Sequence, residues 1–120
     1  MDFSQRVRTY QHRGKTILLH DYSGLPSADA LEVLRYASNL VDKRGTGLNI
    51  LSNVTDAEAS KEAVEALQAL ARKASPYVRR SAIVGITGMK LVLLKAARVV
   101  LGRPINTFDT VQEAEDWLAE

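Results

Sequence analysis

No part of this chain limits its possible folds more than the run Ser81-Ala82-Ile83-Val84-Gly85-Ile86, nearly all apolar and closed by Thr87-Gly88. Six residues of this kind read as a central parallel strand buried on both faces, because a strand with one wet face would alternate apolar and polar side chains. Such a strand needs helices on both sides of its sheet, and the remainder of the chain is expected to supply them.

It does so in alternation. Val7 to His12 alternates and is rich in β-formers, and Arg13-Gly14 turns it into Lys15-Thr16-Ile17-Leu18-Leu19-His20, an opening hairpin. Ser27 is placed to cap a helix whose apolar face is Ala30, Val33, Leu34, Ala37, Leu40 and Val41. Asp29 falls in its first turn, Lys43 and Arg44 in its last, and Gly45 just beyond. Leu48 to Val54 gives a short strand. Ser60 caps a second helix with Ala63, Val64, Leu67, Leu70, Ala71 and Ala74, ending before Pro76. After the 81–86 strand a third helix is expected over residues 89–101, stopped by Gly102 and Pro104, and Ile105 to Phe108 makes a last strand. Thr110-Val111-Gln112-Glu113 has the Thr-x-x-Glu capping box ahead of Ala114, Trp117 and Leu118. The order β-β-α-β-α-β-α-β-α predicts an α/β fold: a mostly parallel sheet of four or five strands with four helices, its first strand antiparallel at the edge.

At 120 residues, with 46% hydrophobic and 25% charged side chains, the chain has enough apolar surface for one core, and a single domain over residues 1–120 is expected. Disorder is excluded as the main theme. Sixteen basic against 14 acidic residues leave +2, which calls for no concentrated basic surface, so no nucleic-acid partner is expected. The absence of cysteine removes disulfides, Cys-ligated zinc and Cys nucleophiles. Met1 to Arg6 carries no apolar signal stretch and no 18-residue apolar run occurs, so a cytoplasmic protein without a transmembrane segment is expected.

In sheets of this type ligands sit beyond the carboxyl ends of the strands. Those ends deliver Asp21 and Ser23, Thr55 and Asp56, Thr87 with Gly88 and Lys90, and Asp109 with Thr110. Asp21, Ser23, Thr55, Asp56, Thr87, Gly88 and Lys90 are therefore the candidates for ligand or partner binding. The plainer alternative is that Asp21, Asp56 and Asp109 cap turns and helix starts, and that Gly85 and Gly88 serve a tight connection and hold no phosphate. Three acids, a Thr and a Lys are similar to the pocket of a response-regulator receiver, but a receiver has adjacent acids after its first strand and Lys-Pro after its last. Neither pair is here.

Catalysis has little material. His12 and His20 are the only histidines, and His20 and Asp21, as neighbours in a strand, point to opposite faces and cannot act as base and orienter. No Gly-x-Ser-x-Gly surrounds Ser23 or Ser52, and no ligand set for a metal is spaced correctly. The expectation is a non-enzyme with no catalytic residues, no cofactor and no metal.

Two features point to partners. Ser60, at a helix start, is where a phosphate would meet the favourable end of the helix dipole, and it is the phosphorylation candidate; an unmodified N-cap serine is the alternative. In the helix over 89–101 the polar positions form one narrow stripe, leaving surplus apolar surface. Leu91, Leu94, Lys95 and Arg98 are the candidate association surface, with a second copy as first occupant and a membrane surface or apolar ligand next; simple burial in the interior is the alternative.

The sequence resembles the SpoIIAA-like branch of the STAS domains, grouped with Sec14-type lipid-binding domains. The resemblance runs from about Arg6 to Leu118. It is carried by Gly14-Lys15-Thr16-Ile17-Leu18 leading to Asp21-Tyr22-Ser23-Gly24-Leu25, by Pro76-Tyr77-Val78 ahead of Ala82-Ile83-Val84-Gly85-Ile86-Thr87-Gly88, and by Phe108-Asp109-Thr110 with Glu113-Ala114 and Trp117-Leu118. It implies a four- or five-stranded sheet with helices in a bacterial, non-enzymatic regulatory module like the anti-sigma-factor antagonists. Those proteins bind a partner kinase and are switched by phosphorylation of a serine at the start of the second helix, which aligns here with Ser60. The relatives carry an Asp-Ser-Ser-Gly-Leu-like segment where this chain reads Glu58-Ala59-Ser60-Lys61-Glu62. The Sec14 side of the resemblance implies the alternative of a small apolar-ligand or lipid-binding domain.

Overall fold

The opening hairpin forms as its residue types require. The computed structural model describes residues 3–58, 60–86 and 105–120, and in it β1 (Val7–His12) runs antiparallel to β2 (Lys15–Asp21), with Val7 opposite His20 and His12 opposite Lys15. The two connecting residues both have positive φ, 50° at Arg13 and 80° at Gly14. That conformation matches the twist of a two-residue hairpin turn. Arg13 accepts a backbone conformation that costs a non-glycine residue ~1 kcal/mol or more, and its guanidinium reaches Asp116 at 3.5 Å.

From β2 onward every pairing is parallel. β3 (Leu48–Asn53) lies beside β2, β4 (Val78–Val84) beside β3, and β5 (Ile105–Phe108) beside β4, giving the order β1-β2-β3-β4-β5 with the antiparallel strand at one edge. α1 (Ser27–Val41) and α2 (Lys61–Ala74) pack over Leu18, Ile50 and Val7 on one face. α3 (Val111–Leu118) covers the other face, with Ala114 and Leu118 against Ile17, Leu51, Ala82 and Val84. Consecutive residues such as Ile17 and Leu18 thus belong to different cores, which is the period-2 alternation of a strand covered on both sides. Ala82, Ile83 and Val84 are all buried, as the apolar run predicts. Three helices stand among the described residues; the helix expected over 89–101 lies outside them.

The structure corrects several boundaries. Ser27 is the first helical residue of α1 and Pro26 holds the cap position, so Ser27 does not cap its own helix. α1 ends at Val41, two residues before Lys43, and no basic residue stands in its last turn. β4 begins at Val78, three residues earlier than the apolar run, and ends at Val84. Arg79 and Arg80 enter the strand because their charges find partners there. The register shifts at Leu48/Asn49, where Val78 pairs with Leu48 and Arg80 with Asn49, leaving Arg79 as a bulge residue. With the alternation interrupted, both arginines serve the end of α3: Arg79 donates to the Leu118 carbonyl at 2.6 Å and Arg80 to that of Trp117 at 2.7 Å. Cations on the last carbonyls of a helix complement its dipole. Arg80 also lies over the Trp117 ring, 4.9 Å from its centroid.

Candidate functional site

The carboxyl ends of the strands form a continuous rim. Beyond the regular pairing, Tyr22 donates its N–H to the Asn53 carbonyl (2.8 Å), Val54 to Val84 (2.9 Å), Gly85 to Phe108 (3.2 Å) and Gly24 to Thr55 (2.9 Å). The loop after β2 and the loop after β3 are therefore stitched side by side, and a further bond from the Glu58 N–H to the Leu25 carbonyl (2.9 Å) draws the start of α2 toward the start of α1. Asp21 ends β2, and Ser23, Thr55, Asp56 and Ser60 lie on these two loops. Thr87, Gly88 and Lys90, and the association candidates Leu91, Leu94, Lys95 and Arg98, lie outside the described residues.

Each described candidate has a definite local role. Asp21 Oδ1 accepts from the Ser23 N–H (3.0 Å) and hydroxyl (2.6 Å), closing a turn of the Asx type, and its other oxygen faces Arg6 at 3.6 Å. Arg6 in turn donates to the Ser23 carbonyl at 3.0 Å. Thr55 and Asp56 are the central residues of the turn closed by Ala57 N–H on the Val54 carbonyl, and Asp56 has φ of 56°, a conformation Asp tolerates better than most residues. Gly85 lies so close to this turn that a Cβ on it would stand 2.2 Å from Thr55 Oγ1 and 2.7 Å from Thr55 Cα. At 83°, its φ is also one that favours glycine.

Ser60 caps α2 as the sequence predicts: its Oγ accepts from the Ala63 N–H at 3.0 Å. The same hydroxyl meets the Ser27 hydroxyl at 2.5 Å. Because Pro26 takes the cap position of α1, the Ser27 side chain is released to this second contact, and the two helix starts are joined through one pair of oxygens. The chemistry available here is that of a hydrogen-bonded hydroxyl at a helix N-terminus, half-buried and flanked by Glu62 in the first turn.

Three arrangements escape the sequence reading. His12 Nε2 bonds Asp116 Oδ1 at 2.9 Å, tying the hairpin to α3; that bond holds the Asp116 carboxyl below the usual carboxylate range, against an opposing effect of desolvation. His20 is 2% exposed, and its Nε2 has no hydrogen-bond partner among the described residues; the Tyr22 hydroxyl is in the same position. The two rings meet edge to face with centroids 6.5 Å apart. Burial pushes the Tyr22 phenol up and the His20 imidazole down. The third is the Arg6–Asp21 pair. The sequence held a signal for it, since a two-residue turn at 13–14 puts Val7 opposite His20 and so brings Arg6 level with Asp21.

Two solved structures share this architecture. An uncharacterised protein of the DUF3478 family with a SpoIIAA-like fold, from Shewanella loihica PV-4, is 19% identical; the match covers 93% of this chain and 91% of that one, with a TM-score of 0.70. An anti-sigma-factor antagonist (STAS) domain protein from Planctomyces limnophilus is 12% identical over 95% of this chain and 98% of its own, with a TM-score of 0.62. No family model matches the sequence, and neither does any curated protein. The fold is the SpoIIAA-like, STAS-type fold. No described helix is long and apolar enough to cross a membrane.

Proposed function

We propose that this chain, built on a SpoIIAA-like fold, is a non-enzymatic regulatory module that docks a protein partner on the rim around the starts of α1 and α2, with Ser60 as its control point. The observation that carries the reading is the hydroxyl pair of Ser27 and Ser60. A hydrogen bond of this type contributes about 1 kcal/mol, and here it holds two helix starts in one geometry. A phosphate on Ser60 would replace one hydroxyl with acceptor oxygens carrying nearly two negative charges, at the end of α2 where the dipole favours them. Ser27 would then donate to the phosphate, while Glu62 would be repelled. The docking surface would change in charge and in the angle between its two helices. The anti-sigma-factor antagonist of similar fold supports a module of this class.

The test is cross-linking in native cells from a photoreactive group at position 61, comparing wild type, Ser60→Ala and Ser60→Glu. A partner captured by wild type and Ser60→Ala and lost from Ser60→Glu is expected. The same captured set in all three would refute Ser60 as the control point.

A further inference from the structure

At the opposite edge of the sheet, beyond the amino ends of β2 and β3, lies a cleft of about 560 Å³. It is bounded by the hairpin and by the segment joining α1 to β3, and its polar lining consists of Thr9, Lys15, Thr16, Arg44, Thr46 and Asn49. The hairpin register explains the gathering: Thr9 stands directly opposite Leu18, on the strand face that α1 covers, and Thr16 is two residues before Leu18 on that face. Two cations share the cleft, and among the described residues no carboxylate lines it. Arg6, Arg35 and Arg80 each face a carboxylate within 3.6 Å, whereas neither Lys15 nor Arg44 forms an ion pair among the described residues. Arg44 is half-buried, and its field reaches His20 inside the core.

Two cations bordering a concave, hydroxyl-lined space, with no carboxylate among its described lining residues, favour an anion there. Arg presents a fork that matches a phosphate in two parallel bonds, Lys adds a point charge, and threonine hydroxyls suit the remaining phosphate and alcohol oxygens, while the Asn49 amide is engaged by the Thr16 carbonyl and by Arg79. The volume falls within the small-molecule range of roughly 300–1,000 Å³. Among the described residues no aromatic ring lines the cleft, so a nucleobase has nothing to stack on there. We propose that this cleft binds a small phosphomonoester with a hydroxylated, non-aromatic body, its phosphate held between Arg44 and Lys15. The site lies away from the rim of the docking proposal and does not depend on it.

The experiment is an amide NMR titration of the full chain with ribose 5-phosphate and with inorganic phosphate, at constant ionic strength, with ribose and chloride as controls. Saturating shifts are expected at residues 14–16 and 44–47 with the two phosphates and not with the controls. Arg44→Gln and Lys15→Gln should each weaken binding roughly tenfold, the usual cost of one charged contact, while their remaining amide spectra stay as in wild type. A phosphate could also arrive on a lipid, so co-sedimentation with phosphatidic acid vesicles forms a second arm. Sedimentation without any response to ribose 5-phosphate would overturn the small-molecule assignment. Silence of these amides to tens of millimolar, undiminished binding in the double variant, or shifts confined to the starts of α1 and α2 would overturn the site itself.

Discussion

Replacing His20 tests how the α1 side of the core is built. The side chain sits in β2 at 2% exposure, without a hydrogen-bond partner for Nε2 among the described residues. Burial, and secondarily the charge of Arg44, lower its pKa from 6.5 to about 4. An unfolded chain takes up the proton near pH 6.5 and the folded one only near pH 4, so between these values the unfolded state carries more protons and stability rises with pH. The native state has its full stability above pH 6.5 and loses it progressively as the pH falls toward 4. A gap of about 2.5 pH units at ~1.36 kcal/mol each corresponds to about 3 kcal/mol. That is a large share of the 5–15 kcal/mol typical of a domain. Urea unfolding of wild type and His20→Leu, from about pH 7.5 down to pH 4, isolates the effect, because every other titrating group cancels in the difference. The gap between the two unfolding free energies should move by about 3 kcal/mol in favour of the leucine variant across that window. Parallel pH profiles would refute the argument, since they would mean that the imidazole is protonated equally in both states.

Gly85→Ala should cost about 2–4 kcal/mol, combining the backbone penalty of a positive φ with overpacking against Thr55. Adding Thr55→Gly should recover only part of that loss, because the main chain at position 55 still stands too near and the φ requirement remains; full recovery in denaturant unfolding would contradict this account. Thr110→Ala removes the acceptor of the Glu113 N–H and should cost about 1 kcal/mol, whereas Thr110→Ser keeps the acceptor and most of the stability. Hydrogen exchange at Ala114 and Leu118 should accelerate in the alanine variant, because a helix of eight residues has little stability apart from its cap and its packing. Unchanged exchange there would count against the cap as the determinant.

The hairpin, the cap of α2 and the capping box of α3 were legible in the residues alone, because each rests on interactions a few positions apart: the Arg13-Gly14 turn, Ser60 with Ala63, and Thr110 with Glu113. The layered class was legible too, since the apolar run at 81–86 has no stable home except between two covered faces. Long-range packing chose the partners of side chains whose local role looked settled. Ser27 had every local property of a helix cap, yet Pro26 took that position and its hydroxyl turned to Ser60, 33 residues away. Arg79 and Arg80 precede the apolar run at which the strand is expected to begin, and a bulge carried them into β4 beneath the end of α3. Lys15 and Arg44 stand 29 positions apart and share a cleft only because the hairpin and the segment after α1 end at one edge of the sheet. The difference is one of range: backbone preference acts over a turn or two of chain, whereas the neighbours of a charged or hydroxyl group are chosen by how the layers close.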